Sequence, residues 1–443
     1  MFGINVERGE PTIVPPAEDT TKKGTLYFLS NLDYNFPCKV RTVYLFKPSK
    51  KEDNGEGEVV EVIKNALSKA LVIFYPVAGR LTFDSEGRMA VDCTDEGAVF
   101  VEAEAGCTID EIGDDTVSMG DLVTKFSCGG FAMGICVNHL VFDGQTGMDF
   151  INSWGKIARG LSLKVPTFLD RSILKARNPP KIEFDHQEFL EIEDIPRTND
   201  LYNEEIIYKS FGFDTVKLEK LKAAATEDGA VVRCSTFEAL SGFIWKSRTQ
   251  ALKIPHDQKI KLLLVVDGRS KLDPPLRENY FGNGVVIGFL IGASSKLHLC
   301  ELTEKPLSYA VGLVQETIQS VTDCYIKSTI DYLEVTRAKP SLAGSLIIAT
   351  WCRLSFDTTD FGWGRPYLAG RVTFPAIMES AIFMTHPKEK RSINVLLGFP
   401  ASAMKVDPNV EHEEAPGSDG MDGFLSDQAN AIPGIKEKEL RGL

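Results

Sequence analysis

The feature that most constrains the fold is a predicted strand that ends in a polar turn and leads directly into an amphipathic helix. Residues 131–137 (Phe-Ala-Met-Gly-Ile-Cys-Val) alternate as a strand with one buried face does. Residues 145–160 carry apolar side chains at helical spacing. These are Met148, Ile151, Trp154 and Ala158. The turn between strand and helix holds His139 and Asp143, at a position where side chains can face a cleft while the sheet fixes the backbone.

Strand and helix patterns alternate along the whole chain, which predicts an α/β fold in two halves with a cleft between them. An N-terminal domain is expected over residues 1–180 and a C-terminal domain over residues 207–405. Pro166, Pro179 and Pro180 together with the acidic residues between Glu183 and Asp194 predict a crossover linker over residues 181–206. Residues 406–443 are acidic and poor in apolar side chains, which is typical of a disordered tail.

The charge balance excludes some classes of partner. A formal charge of −13 over 443 residues argues against nucleic acid or an anionic membrane as the main partner, because both require basic surfaces. No apolar run has the length of a membrane span, and the N-terminus lacks the features of a signal peptide. Nine cysteines without a Cys-x-x-Cys pair favour reduced thiols in the cytosol over a disulfide framework or a zinc site. We therefore expect a cytoplasmic protein without a metal.

Several catalytic signatures are missing. Asp360-Phe361-Gly362 occurs in protein kinases, but no glycine-rich loop, Val-Ala-Ile-Lys strand or His-Arg-Asp loop precedes it. The chain has neither a phosphate-binding Gly-x-x-x-x-Gly-Lys-[Ser/Thr] loop nor a Gly-x-Ser-x-Gly nucleophile elbow. A chance His-x-x-x-Asp has a probability of roughly one in three in such a chain, so His139 needs a second signal. The chemistry that remains is a histidine acting as a general base on a bound substrate.

The second signal lies far along the chain. Residues 139–144 (His-Leu-Val-Phe-Asp-Gly) and 360–364 (Asp-Phe-Gly-Trp-Gly) together resemble the paired signature of the plant BAHD acyl-CoA-dependent acyltransferases. Further matches are residues 74–80, 166–171, 267–269, 280–284 and 350–351. Within the family the chain is most similar to enzymes that transfer hydroxycinnamoyl groups to fatty alcohols and ω-hydroxy fatty acids. Residues 27–33, 93–103, 330–337 and 358–364 carry that likeness.

The resemblance implies a fold and a mechanism. It implies two chloramphenicol-acetyltransferase-like domains with mixed sheets and a channel at their interface, and residues of about 361–383 joining the N-terminal domain. His139 would take the proton from the acceptor hydroxyl as its oxygen attacks the thioester carbonyl, and Trp351 would donate to the oxyanion. Asp143 would turn away from the cleft and pair with Arg269, whereas Asp360 would act indirectly or structurally. Gly362, Trp363 and Gly364 would likewise be structural.

The resemblance also indicates substrates and partners. Acyl-CoA is expected as a co-substrate and no cofactor as a permanently bound group, with small-molecule substrates, no nucleic acid, no membrane span and a monomeric chain. Ser235, Thr236 and Lys246 are the candidate CoA-binding residues, because Ser235 to Glu238 form a capping box and a helix N-terminus favours phosphate.

Two departures from the family pattern leave alternatives open. The connection between Glu111 and Asp121 is short, and Ala349 stands where the family usually has threonine. The leading hypothesis is a hydroxycinnamoyl-CoA O-acyltransferase acting on a long-chain alcohol or ω-hydroxy fatty acid, serving cutin, suberin or wax. One alternative is the same fold acylating shikimate, a phenolic alcohol or a polyamine. Another is a non-catalytic acyl-CoA-binding protein.

Overall fold

The computed structural model describes residues 5–35, 37–48, 59–112, 121–163, 166–190, 206–252, 260–292, 299–339, 344–373, 379–386, 389, 391–400 and 404. The predicted tail at 406–443 lies outside the described residues, as do residues 191–205 of the predicted linker and 113–120 of the short connection.

The described residues form strands and helices in the following order. The strands are β1 (Val6–Arg8), β2 (Thr12–Val14), β3 (Leu26–Phe28), β4 (Lys39–Phe46), β5 (Arg80–Phe83), β6 (Met89–Asp92), β7 (Ala98–Phe100), β8 (Glu102–Ala105), β9 (Val123–Phe126), β10 (Phe131–Asn138), β11 (Ile206–Phe213), β12 (Ile260–Asp267), β13 (Val285–Gly292), β14 (Ser345–Thr350), β15 (Leu368–Thr373), β16 (Glu379–Thr385) and β17 (Ile393–Pro400). The helices are α1 (Val59–Ile73), α2 (Gly144–Ala158), α3 (Thr215–Thr226), α4 (Thr236–Ala251), α5 (Leu299–Glu304), α6 (Leu307–Ser320) and α7 (Asp323–Thr336).

Helix starts follow the polar residues that precede them. Asp143 caps α2 by accepting the Thr146 N–H, and Asp214 caps α3 by accepting the Lys217 N–H. The predicted capping box of α4 is confirmed. These side chains satisfy amide groups that the first helical turn leaves without partners.

The chain forms two compact units. The first comprises Met1–Ala176, Leu276–Gly284 and Leu354–Phe374. Its main sheet has the strand order β1-β8-β9-β10-β4-β15, in which only β8 and β9 run parallel among the neighbouring pairs of the described strands. Helices α1 and α2 pack on one face of this sheet. The core there includes Tyr44, Phe46, Phe131, Met133 and Trp154.

The second unit comprises Arg177–Pro275, Val285–Arg353 and Pro375–Leu443. Its sheet has the order β11-β17-β16-β14-β12-β13, with β12, β14 and β16 parallel and the flanking strands antiparallel. Both main sheets are therefore mixed, and the predicted α/β class with mixed sheets is confirmed. A buried ion pair, Arg248 with Glu379, joins α4 to β16 through two hydrogen bonds of 2.6 and 2.8 Å.

His186, Glu188 and Phe189, inside the predicted linker, are buried in the second unit, where they contact α7. His186 Nδ1 lies 2.8 Å from Glu188 Oε1, and His186 Nε2 lies 2.8 Å from Ser328 Oγ. The Tyr325 hydroxyl donates to Glu188 Oε1 at 2.7 Å. The start of the linker is thus packed into the second unit by specific polar contacts. None of the helices in the described part of the chain is both long enough and apolar enough to cross a bilayer.

Candidate active site

His139 continues the line of strand β10 by one residue. Its N–H donates to the Cys38 carbonyl at 2.9 Å, which adds a rung to the ladder between β10 and β4. Alternate residues share a face of a strand, so His139 lies on the same face as Ile135 and Val137. Both of these pack against the core of the first unit. The histidine therefore occupies the end of the central strand of a well-packed layer.

Two apolar side chains anchor the loop that follows His139. Leu140 and Phe142 are both buried, and the Phe142 ring packs against Phe150 and Phe281. The Leu140 N–H donates to Asn138 Oδ1 at 3.1 Å. Because the loop is held from inside, the position of His139 is set by packing as well as by the strand.

Asp143 is buried and its carboxylate binds backbone in two places. Oδ1 accepts the Thr146 N–H at 3.1 Å, and Oδ2 accepts the Gly284 N–H at 2.9 Å. These bonds tie the start of α2 to the end of the 280–284 segment. Arg269 belongs to the second unit, where it contacts Asp267 through its N–H at 3.0 Å and its guanidinium at 3.3 Å. The pairing of Asp143 with Arg269 stays a prediction.

The 280–284 segment (Tyr-Phe-Gly-Asn-Gly) lies directly against the His139 loop, which the sequence did not indicate beyond a family match. Thr146 Oγ1 donates to the Gly282 carbonyl at 2.9 Å. Asn283 Nδ2 donates to the His139 carbonyl at 2.9 Å, and its side chain is buried. Two glycines flanking an asparagine directly before the apolar run at residues 285–291 are the signal that could have marked it as a site element.

A buried ion pair stands behind this segment. Arg171 Nη1 lies 2.9 Å from Asp33 Oδ2, and both side chains are 0% exposed. Arg171 also donates to the Phe281 carbonyl at 3.2 Å and to the Val141 carbonyl. Sequence reasoning assigned no role to Asp33, Arg171 or Asn283.

The surroundings of His139 keep its imidazole in the basic form. Burial lowers the pKa of His139 below its usual 6.5, and the positive charge of Arg371 adds to the decrease. The negative charge of Asp143 opposes this decrease, as do the polar groups of the His139 main chain and of the Asn283 side chain. The net pKa is lowered, so the neutral imidazole that can accept a proton dominates at neutral pH.

Asp360 shapes its own loop. Oδ1 accepts the N–H groups of Gly362 at 2.8 Å and Gly364 at 3.0 Å, and Oδ2 lies 3.3 Å from Arg159 Nη1. Gly362 and Gly364 have φ angles of 116° and 88°, which side-chain-bearing residues rarely adopt. These contacts support a structural role for Asp360, Gly362 and Gly364.

The aromatic residues of this loop attach it to the core of the first unit. Phe361 is buried, with its ring centroid 5.2 Å from that of Trp154. The Trp363 ring lies 5.4 Å from the Phe131 ring. Phe131 begins β10, the strand that directly precedes His139, so a structural role for Trp363 is supported as well.

Gly155 of α2 provides a test of how tightly the 360–364 loop is packed. A Cβ at position 155 would lie 2.5 Å from the Asp360 carbonyl oxygen. We expect Gly155→Ala to lower the free energy of unfolding by about 2 kcal/mol, because overpacking costs roughly 3 kcal/mol and the gain in helix propensity is about 1 kcal/mol. Urea unfolding monitored by circular dichroism would measure this. Gly106→Ala is the matched control, because a Cβ added at position 106 would meet no atom of the described residues within 4 Å apart from its own chain neighbours. Equal stabilities for the two variants would contradict the close packing.

The remaining predicted site residues lie in the second unit. Trp351 follows β14, and its main-chain N–H donates to the Phe383 carbonyl at 2.7 Å. Ser235 Oγ and Glu238 form the reciprocal bonds of the capping box, Thr236 begins α4, and Lys246 Nζ donates to the Lys305 carbonyl. The oxyanion role of Trp351 and the CoA-binding roles of Ser235, Thr236 and Lys246 stay predictions.

The family model and the similar proteins of known function all indicate the same family. The model of the Transferase family matches residues 4–119 and 122–413. The chain is 53% identical to omega-hydroxypalmitate O-feruloyl transferase of Arabidopsis thaliana, covering 91% of this chain and 92% of the relative. It is 46% identical to fatty alcohol:caffeoyl-CoA acyltransferase of the same species, covering 91% and 97%. Identity to shikimate O-hydroxycinnamoyltransferase of Nicotiana tabacum is 33%, covering 91% and 98%.

Solved structures agree on the fold. Vinorine synthase aligns with a TM-score of 0.70 at 21% identity, covering 90% of this chain and 95% of that one. TRI101 of F. graminearum, complexed with coenzyme A and T-2 mycotoxin, aligns with a TM-score of 0.70 at 15% identity, covering 85% and 95%. From the family match and these relatives, the chain belongs to the Transferase family, the BAHD acyltransferases.

Proposed function

We propose that this protein transfers a hydroxycinnamoyl group (feruloyl, caffeoyl or coumaroyl) from a CoA thioester to the hydroxyl of a long-chain alcohol or an ω-hydroxy fatty acid. The observation that carries the proposal is the 53% identity to omega-hydroxypalmitate O-feruloyl transferase over nine-tenths of both chains. The 46% identity to fatty alcohol:caffeoyl-CoA acyltransferase supports the same acyl donors and a lipid acceptor. Esters of this kind belong to cutin, suberin and wax.

The proposed chemistry uses His139 as a general base. The neutral imidazole accepts the proton of the acceptor hydroxyl while its oxygen forms a bond to the thioester carbonyl carbon. The resulting oxyanion needs a hydrogen-bond donor, for which Trp351 is the candidate, and one such donor contributes about 3–4 kcal/mol to barrier lowering. The C–S bond then breaks, the ester leaves, and the imidazolium returns its proton to the CoA thiolate.

Asp143 and Asp360 have structural roles in this mechanism. The Asp143 carboxylate is engaged by the N–H groups of Thr146 and Gly284, and Asp360 by those of Gly362 and Gly364. A carboxylate whose oxygens are occupied by main-chain N–H groups serves to shape the backbone around it. Neither aspartate carries the reaction proton in our account.

We place the reaction in the cytosol and expect a monomeric enzyme that meets small-molecule substrates only. The cysteines in the described part of the chain, Cys38, Cys93, Cys107, Cys128, Cys136, Cys234, Cys324 and Cys352, are free thiols. Reduced thiols are typical of the cytosol.

A panel of donors and acceptors tests the proposed substrate class. Feruloyl-, caffeoyl- and acetyl-CoA would each be combined with hexadecanol, 16-hydroxypalmitate, shikimate and spermidine, and kcat/KM measured from CoA release. We expect a hydroxycinnamoyl donor with a lipid alcohol to give the highest value, by at least about 100-fold over shikimate and spermidine. A preference for shikimate or spermidine would overturn the acceptor class. Binding of the CoA esters without thiol release from any pair would indicate a non-catalytic acyl-CoA-binding protein.

A further inference from the structure

The main-chain carbonyl of His139 is held by a buried amide side chain. Asn283 Nδ2 lies 2.9 Å from the His139 oxygen and 2.7 Å from Asp33 Oδ1. Asn283 is 1% exposed. A single amide group therefore connects the backbone of His139 to the Asp33 carboxylate, 250 positions from Asn283 in the sequence.

The Asp33 carboxylate is a fixed point. Its Oδ2 accepts the Ser30 N–H at 2.5 Å, the Ser30 hydroxyl at 2.8 Å and Arg171 Nη1 at 2.9 Å. Its Oδ1 accepts both the side chain and, at 3.2 Å, the main-chain N–H of Asn283. A buried carboxylate with this many donors has little freedom to move, because each displacement would break several charge-assisted hydrogen bonds.

Arg171 extends the same support to a second point of the loop. Its Nη2 donates to the Val141 carbonyl, two residues after His139. The backbone on either side of Leu140 is thus held at 139 by Asn283 and at 141 by Arg171, and both anchors converge on Asp33. The direction in which the His139 side chain leaves the backbone is set by these two bonds.

We propose that Asn283 is a positioning residue for His139, acting from the Asp33–Arg171 pair through the His139 carbonyl, and that it determines kcat. The inference rests on the proposed function. Because Nδ1 of a histidine can reach the residue's own carbonyl and Nε2 cannot, we expect a carbonyl held by Asn283 to favour a proton on Nδ1 and to leave Nε2 as the base. Geometry held to within about 0.5 Å is what general-base catalysis requires, and a misplacement of about 1 Å can cost 100-fold in rate.

A loss of the positioning role of Asn283 can be distinguished from a loss of folding. Asp33 keeps Ser30 and Arg171 as partners when Asn283 is shortened, so the buried charge pair stays compensated. We expect Asn283→Ala to fold and to lower kcat about 100-fold, with KM for feruloyl-CoA changed by less than about threefold. Asn283→Asp keeps the size but replaces the amide donor by a carboxyl group beside the buried Asp33 carboxylate, and is expected to lose at least as much.

The matched control is Asn279→Ala. Asn279 is partly exposed, directly precedes the 280–284 segment and donates to the Pro166 carbonyl, away from the His139 loop. The kcat of the Asn279→Ala protein is expected to stay within about twofold of wild type. Wild-type kcat in a folded Asn283→Ala protein, or an equal loss in Asn279→Ala, would overturn the positioning role.

A second readout does not depend on activity. Long-range proton–nitrogen spectra of protein labelled in histidine nitrogen, with the His139 signals assigned through His139→Ala, report which ring nitrogen carries the proton. We expect a single Nδ1–H tautomer in wild type and a mixture of tautomers in Asn283→Ala. If wild type transfers no acyl group to any acceptor, the proposed function fails while this spectrum still decides the positioning role. An unchanged tautomer in Asn283→Ala would refute it.

Discussion

Replacement of His139 by alanine is expected to lower kcat/KM for the acyl acceptor by about 1,000-fold, within the range that a positioned general base contributes. The structure supports this expectation because His139 lies at the end of the central strand β10 with a lowered pKa and a loop fixed at several points. The measurement is the initial rate of CoA release from feruloyl-CoA with 16-hydroxypalmitate. Because alanine removes the base and leaves the strand and the loop intact, we expect soluble protein that still binds feruloyl-CoA.

The matched control is His386→Ala. His386 lies after β16 in the second unit, where its N–H donates to the Ser392 carbonyl. The His386→Ala protein should retain activity within about twofold of wild type. Full turnover by His139→Ala would contradict the general-base mechanism.

The pH dependence of kcat/KM tests the same group without a substitution. Burial lowers the pKa of His139, so the imidazole is unprotonated at pH 7 and the acid-side loss of activity should occur only below pH 6.5. Protonation of the base as the pH falls through this pKa removes the proton acceptor. An acid limb centred above pH 7 would show that another group, or a differently placed His139, controls the reaction.

The second large effect concerns stability. Asp33→Ala leaves the Arg171 guanidinium buried without its carboxylate, and breaking a buried ion pair in this way costs about 3–5 kcal/mol. Burial lowers the pKa of Arg171, but the charge of Asp33, its hydrogen bond with Arg171 and the nearby Tyr27 and Tyr280 hydroxyls together outweigh burial and raise that pKa, so Arg171 stays charged in the folded protein. Urea unfolding of wild type and variant gives the difference directly.

An exposed ion pair in the same unit serves as the control. Asp19 and Lys23 lie 2.7 Å apart at the surface, and Asp19→Ala is expected to leave the free energy of unfolding close to that of wild type. The double variant Asp33→Leu with Arg171→Met should lose less than the sum of the two single losses, because no charge is left unpaired. Strict additivity would show that the pair is not energetically coupled.

Local sequence patterns predicted the local parts of the site. The alternation of 131–137 and the helical spacing after Asp143 placed His139 at a strand end, where the structure has it. Asp360 and the two glycines of its loop occur within five residues, so the turn that they form is encoded locally. Patterns of this kind work because hydrophobic periodicity and turn chemistry depend on near neighbours.

The contacts of Asp33, Arg171 and Asn283 that support His139 could not be predicted from the sequence, because they join residues that are far apart in the chain. Asp33 and Arg171 are 138 positions apart, and Asn283 reaches His139 across 144 positions. No periodicity marks a buried ion pair, since each partner alone resembles a surface residue. Helix α7 and strand β16 were also missed, and α7 is the element that receives the buried His186 and Glu188. An acidic stretch that follows two prolines predicted an extended linker, whereas tertiary contacts bury part of it.

One measurement tests the central claim most directly: mass-spectrometric quantification of the ester formed from feruloyl-CoA and 16-hydroxypalmitate by the wild-type protein, alongside the CoA released. We expect one feruloyl ester of the ω-hydroxyl for each CoA released, and about 1,000-fold slower formation of both products by the His139→Ala protein. CoA release that yields free ferulate in place of the ester, or no release at all, would contradict acyl transfer to a lipid hydroxyl.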